Sequence, residues 1–172
     1  MASSISADPA AGPAPRHDVI ATASAYRAAI DELIEIARSK LQVFDIDLSE
    51  GGWDGAARAD HLAAFLRRMP NAHFDLIVHD TRWIEQSCPR LLMLLKSYSH
   101  AMTLYRTGPG ARSAMNPLVI ADGRHFLHRF HVDHPRAALG IEQPQDAQPL
   151  AARFDEIWVT GEPGLGGSVL GL

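Results

Sequence analysis

The spacing of apolar residues changes repeatedly along this chain, and that alternation limits the architecture more than any single motif. From Thr22 to Lys40, the residues Tyr26, Ala29, Ile30, Leu33, Ile34 and Ala37 recur at intervals of three and four, which is one stripe of a helix. Leu41 to Leu48 is a short strand-compatible run that ends at the Gly51-Gly52 turn. Asp54 can then cap a second helix that turns Leu62, Phe65, Leu66 and Met69 inward and stops at Pro70. His73 to His79 reads as a strand. Thr81 to Ser97 reads as helix broken at Pro89, with Ser87 placed to cap the second half. Ala101 to Arg106 is a third strand, and Thr107 to Asn116 a loop. Leu118 to Ala121 and His125 to Phe130 flank Asp122-Gly123, a dipeptide suited to a type I′ hairpin turn because both residues must accept positive φ. Pro135 to Gln148 reads as polar and turn-rich, and Leu150 to Val159 as a last helix stopped by Gly161.

This order of elements predicts an α/β fold: a mixed, partly parallel sheet sandwiched by helices. In such sheets ligands bind beyond the carboxyl ends of the strands. The rule points to Asp45 and Asp47, to His79 and Asp80, and to Arg106. With 172 residues, 47% of them apolar, one core suffices, and a single domain over 19–172 is expected after a disordered leader at 1–18. The tail from Glu162 carries Val169, Leu170 and Leu172 and can dock as an extended strand or stay loose.

A formal charge of −4 gives no general pull toward nucleic acid or anionic lipid. The single cysteine, Cys88, rules out an internal disulfide. It reads as a buried, inert thiol in a reducing compartment, so a cytoplasmic protein is expected. No apolar run is long enough to span a bilayer.

Asp45 and Asp47 share one face of a strand, about 7 Å apart, and can hold a hard cation; the plainer reading has them capping the turn that follows. His79 can serve as a base, and Asp80 can simply cap a helix. His125, His128, His131 and His134 fall at intervals of three, which on a strand scatters them over both faces. Only His131 and Asp133 would meet at one ion, so no metal site is expected and exposed edge-strand histidines are. Arg106, Arg112, Arg124 and Arg129 flank the loop and hairpin and form an anion-binding rim if the fold brings them together.

Two resemblances follow from these residues. Val43 to Ser49 is similar to the first motif of haloacid dehalogenase-type phosphatases, which would make Asp45 a nucleophile and Asp47 a general acid around Mg²⁺. That likeness covers seven residues. The hairpin from Leu118 to Phe130, with Ile30 to Leu33, Val43 to Asp47 and Phe154 to Trp158, resembles the phospholipase D-like superfamily over roughly residues 22 to 172. That superfamily carries His-x-Lys-x-x-x-x-Asp at the hairpin. Asp122 matches its aspartate, but Met115 stands at the histidine and Pro117 at the lysine. The resemblance therefore implies a degenerate half domain of an uncharacterised bacterial group. It would bind a phosphate-containing ligand or a protein partner without cofactor or catalysis, and pair as a homodimer; beside it and the phosphatase stands a third reading, a purely structural interaction module. The candidate ligand residues are Asp45, Asp47, His79, Asp80 and Arg106, from the rule about strand ends, and Asp122, which alone matches a functional position of the superfamily.

Overall fold

The computed structural model describes residues 12–165. Their element order is β1 (Arg16–Ile20), α1 (Ala23–Ile36), β2 (Lys40–Asp45), α2 (Ala56–Arg68), β3 (His73–Val78), α3 (Arg82–Ser87), α4 (Pro89–Ser97), β4 (Met102–Arg106), a 3₁₀ turn (Pro109–Ala111), β5 (Leu118–Ala121), β6 (His125–His131), β7 (His134–Ile141), α5 (Pro144–Trp158) and β8 (Glu162–Pro163). The strands form one sheet in the order β1-β7-β6-β5-β2-β3-β4-β8. The β2-β3 and β3-β4 pairs are parallel and the remaining pairs antiparallel, so the mixed, partly parallel sheet read from the sequence is present.

Alternation along the strands divides the core in two. Leu41, Val43, Phe74, Leu76, Val78, Val119, Leu127 and Leu139 pack with α1, α2 and α4. Phe44, Ile77, Leu118, Ile120, Phe126 and Ala138 face α5 through Phe154 and Ile157. The sheet is thus a central layer with helices on both faces.

Several local readings change. Residues 16–18, assigned to the leader, belong to β1, whose Arg16 to Ile20 pair with Ile141 to Ala137 of β7. The stretch read as turns from Pro135 holds most of β7 and the first turn of α5. In β7 the residues Ala137 to Ile141 are all buried between β6 and β1. Gly140 belongs there because a Cβ would stand 2.3 Å from a ring carbon of Phe126. Helix α1 starts with Thr22 Oγ1 accepting the Ala25 N–H at 3.2 Å, and it ends at Ile36 rather than Lys40. Gly55, not Asp54, precedes α2 as its cap. Ser87 closes α3, and α4 opens on Pro89 at its first position, where the missing N–H costs nothing. Val169, Leu170 and Leu172 lie outside the described residues. Among the described residues no helix is long and apolar enough to cross a membrane.

Candidate functional site

The parallel strands β2, β3 and β4 end at Asp45, Val78 and Arg106, so five of the six residues singled out from sequence do gather at one end of the sheet. Asp122 does not. It lies at the opposite end, beside the first residue of β2, where it accepts the backbone N–H groups of Arg38 (2.8 Å), Ser39 (2.9 Å) and Lys40 (2.9 Å) and the Ser39 hydroxyl (3.1 Å). Burial alone would raise its pKa, but these donors hold it below the ordinary carboxylate value. Asp122 and Gly123 have φ of 55° and 68°, as a type I′ turn requires. The aspartate therefore ties the β5-β6 hairpin to the α1-β2 connection.

At the carboxyl end, Asp47 Oδ1 accepts the Ser49 N–H at 2.9 Å and its hydroxyl at 2.7 Å, which is the turn-capping arrangement. Asp45 is 7% exposed and accepts the adjacent Ile46 N–H at 2.6 Å. Its burial pushes the carboxyl up to about 7. His79 is engaged at both ring nitrogens, Nδ1 at 2.6 Å from the Thr107 hydroxyl and Nε2 at 2.6 Å from the Ala114 carbonyl. A carbonyl only accepts, so Nε2 carries the proton, and in the neutral ring Nδ1 accepts from the Thr107 hydroxyl. His79 thus clamps the loop leading to β5, with neither nitrogen left for a substrate. Asp80 is held at about 2 by its hydrogen bonds from Arg82, and it accepts the Arg82 N–H ahead of α3. Arg106 lies 3.7 Å from Glu162. His79, Asp80 and Arg106, with Thr81, Arg82 and Arg112, line one cleft of about 270 Å³.

A second cleft at the same end, about 340 Å³, was only partly visible in the sequence. Ala23, Tyr26 and Arg27 of α1, Glu50 and Gly51 after β2, Arg129 of β6, and Asp133 and Pro135 of the β6-β7 hairpin line it. Its centre is Arg129, whose side chain is 3% exposed. The guanidinium lies over the Tyr26 ring, 5.2 Å from its centroid. Nε donates to the His134 carbonyl at 2.5 Å, and Nη1 meets the Glu50 carboxylate at 2.5 Å. Burial pushes the Tyr26 hydroxyl well above its ordinary value, so it remains a neutral donor. The Arg129 backbone N–H donates to the Pro117 carbonyl at 3.0 Å, directly across the hairpin. The suggested arginine rim is therefore not one feature: Arg106 and Arg112 share the first cleft, and Arg129 occupies the second. Arg124 lies by the hairpin turn, 3.6 Å from Glu142. Met115 lines a third cleft, about 250 Å³, with Asn116, His128 and Arg153.

The histidine series is not an exposed edge. β6 is flanked by β5 and β7, and His125 is 2% exposed, its Nδ1 accepting the Glu142 N–H at 2.9 Å. His131 does approach Asp133, at 3.3 Å. Among the described residues no group of three or more His, Cys, Asp or Glu side chains could hold a metal ion. Cys88 is buried, with its thiol pushed up to about 12 by desolvation.

Comparison with solved structures places the fold. TrmBL2, an archaeal chromatin protein whose structure shows a novel mode of DNA binding, matches at a TM-score of 0.64 and 12% identity, over 86% of this chain and 53% of that one. The chain therefore spans about half of TrmBL2. Nuc from Salmonella typhimurium, a phospholipase D family member, matches at a TM-score of 0.60 and 12% identity, over 87% of this chain and 97% of Nuc. NucT from Helicobacter pylori matches at 0.57 and 10% identity, over 88% of this chain and all of NucT. At such identities the likeness is one of fold. No curated protein matches the chain in sequence. A family model does, over residues 22–165, and by that match the chain belongs to the family described as Domain of unknown function (DUF7931).

Proposed function

We propose that this chain is a phospholipase D-like domain that binds a phosphate-bearing ligand in the Arg129 cleft without hydrolysing it. The observation that carries the reading is the pairing of Arg129 with Pro117. Leu118 pairs with His128, so the same antiparallel register sets residue 117 opposite 129, and the Arg129 N–H meets the Pro117 carbonyl. Cross-strand partners point to the same face. The Arg129 side chain therefore leaves the sheet on the same face as, and next to, the position that carries lysine in the superfamily motif, and its buried guanidinium reaches on to Tyr26 and Glu50. Arginine can grip phosphate oxygens with two parallel N–H donors, which suits it to that role.

Hydrolysis needs more than binding. Met115, at the motif's histidine, lines a different cleft from Arg129, and its thioether neither attacks phosphorus nor carries a transferable proton; Pro117 has no side-chain donor. His79 is committed at both nitrogens and does not substitute.

The test is a thermal-shift screen of the purified protein and its Arg129→Met variant against inorganic phosphate, nucleotides and short single-stranded oligonucleotides. A ligand at one hundred times its dissociation constant adds about 2.7 kcal/mol. For a chain of this size each kcal/mol moves the midpoint by about 2–4 °C. The expected result is a shift of about 5–11 °C with at least one phosphate-bearing compound, lost in Arg129→Met. A flat screen, or equal shifts in both proteins, would overturn the reading and leave a protein partner as the better candidate.

A further inference from the structure

Glu50 is the odd member of the Arg129 cleft. Its side chain is 59% exposed, yet its carboxylate makes a 2.5 Å contact with the guanidinium of a side chain that is only 3% exposed. Arg129 is the sole ion-pair partner of Glu50 among the described residues. Such asymmetry matters, because Glu50 can rotate into water and keep its solvation while Arg129 cannot follow. The arginine then loses the one carboxylate it touches and keeps only the His134 carbonyl and the attraction of the buried Asp45, which is not in contact with it, so another anion in that place is favoured, since a buried charge without a contacting partner is costly. The chain around Glu50 is built from left-handed residues: Leu48, Gly51 and Gly52 have φ of 67°, 88° and 77°. Gly51 is tightly enclosed, since a Cβ there would stand 3.0 Å from Ile30 and 3.1 Å from the Trp53 indole nitrogen. Ile30 and Trp53 thus pack against the turn at Gly51, while the Glu50 side chain next to it is open to water.

We propose that the Glu50 carboxylate occupies the ligand's place, so that the cleft takes a singly charged anionic group, a carboxylate or a phosphodiester, in a one-for-one exchange with it. This rests on the anion-binding reading above and names the chemistry that the site selects. Charge balance supports the exchange. Two cations, Arg27 and Arg129, and two anions, Glu50 and Asp133, line the cleft. A monoanion that replaces Glu50 preserves that balance. A dianion adds an unpaired negative charge beside Asp133 in a partly desolvated space, where like charges repel more strongly than in water. The exposed Glu50 thus competes with every ligand and weakens each of them, least so for a group that copies its own charge.

The experiment is chemical rescue read by thermal denaturation, using acetate and dimethyl phosphate as monoanions and sulfate as a dianion. The proteins are wild type, Glu50→Ala, Glu50→Gln and Arg129→Met. Glu50→Ala is expected to melt several degrees below wild type and to regain most of that loss in acetate or dimethyl phosphate. Sulfate stabilises proteins generally by exclusion from their surface, so its effect is counted only beyond the shift seen in Arg129→Met. Glu50→Gln keeps the side-chain volume and provides the same comparison if truncation prevents folding. It should bind dimethyl phosphate at least tenfold more tightly than wild type. Monoanion shifts that are equal in wild type and the Glu50 variants, but absent in Arg129→Met, would overturn the role of Glu50 and leave the anion site standing. Shifts that are the same in all four proteins would overturn both. A larger specific rescue by sulfate than by dimethyl phosphate would overturn the charge-for-charge exchange.

Discussion

Replacing Asp122 with alanine should weaken the fold while leaving the Arg129 cleft intact, because the two lie at opposite ends of β2. The side chain accepts three backbone N–H groups and one hydroxyl, at 2.8 to 3.1 Å. Hydrogen bonds to a charged acceptor are each worth about 1.5–3 kcal/mol when water cannot replace them. Here Arg38, Ser39 and Lys40 are exposed, so water recovers part of that, and about 1 kcal/mol per backbone donor is the better figure. Alanine also tolerates the left-handed φ of 55° less well than aspartate. The total is about 3–4 kcal/mol, or a fall of about 6–16 °C in midpoint for a chain of this size. Asp122→Asn keeps one acceptor oxygen and a side chain at ease in that conformation, so it should lose no more than about half as much. The pKa direction adds a second signature. A carboxyl whose folded pKa is depressed contributes stability that is present above the unfolded value and lost as pH falls through the folded one. The gap between wild type and Asp122→Ala, measured by urea denaturation, should therefore narrow below the ordinary carboxylate range. A variant within 2 °C of wild type at neutral pH, or a gap constant down to pH 2, would refute the argument.

Asp45 should show the opposite pH dependence. Its folded pKa is raised to about 7, so its contribution is fully present below the unfolded carboxylate value and lost as pH climbs through about 7. Asp45→Asn, whose amide oxygen can still accept the Ile46 N–H, should gain stability over wild type at pH 8 and little at pH 4. Equal urea midpoints for the two proteins at both pH values would contradict this. Gly140→Ala places a methyl 2.3 Å from Phe126, so a loss of about 1–3 kcal/mol or more is expected by calorimetry. Phe126→Leu should relieve part of it.

The sheet and most helices were legible because apolar spacing reports burial directly. Phe74, Leu76 and Val78 alternate with Ile77, and Ile30, Leu33 and Ile34 mark one helix face. β7 is hidden in the sequence because Pro135 and Arg136 suggest a turn, while its buried half, Ala137 to Ile141, is rich in small residues with weak strand preference. β1 is hidden too, because its exposed and charged residues Arg16, His17 and Asp18 resemble a polar leader, and only pairing with β7 makes them a strand. The site was less legible than the fold. Asp45, His79 and Arg106 follow from the rule about strand ends, but that rule does not say which cleft each residue enters. The Arg129 cleft joins residues more than one hundred positions apart, from Tyr26 to Asp133. Tyr26 reads as one more apolar position of α1, and Glu50 as an ordinary turn residue. The available clue was Arg129 itself, a charge in a strand whose neighbour Leu127 faces the core.

Phosphorus NMR of a dinucleoside monophosphate, titrated with wild type and with Arg129→Met, tests binding and catalytic silence in one experiment. The account predicts a diester signal that broadens or shifts with wild type, stays sharp with Arg129→Met, and gives rise to no phosphomonoester resonance over days. A diester signal unaffected by wild type would contradict the binding claim. A monoester resonance that grows with wild type, and not with an equally purified Arg129→Met sample, would show that the chain hydrolyses what it binds.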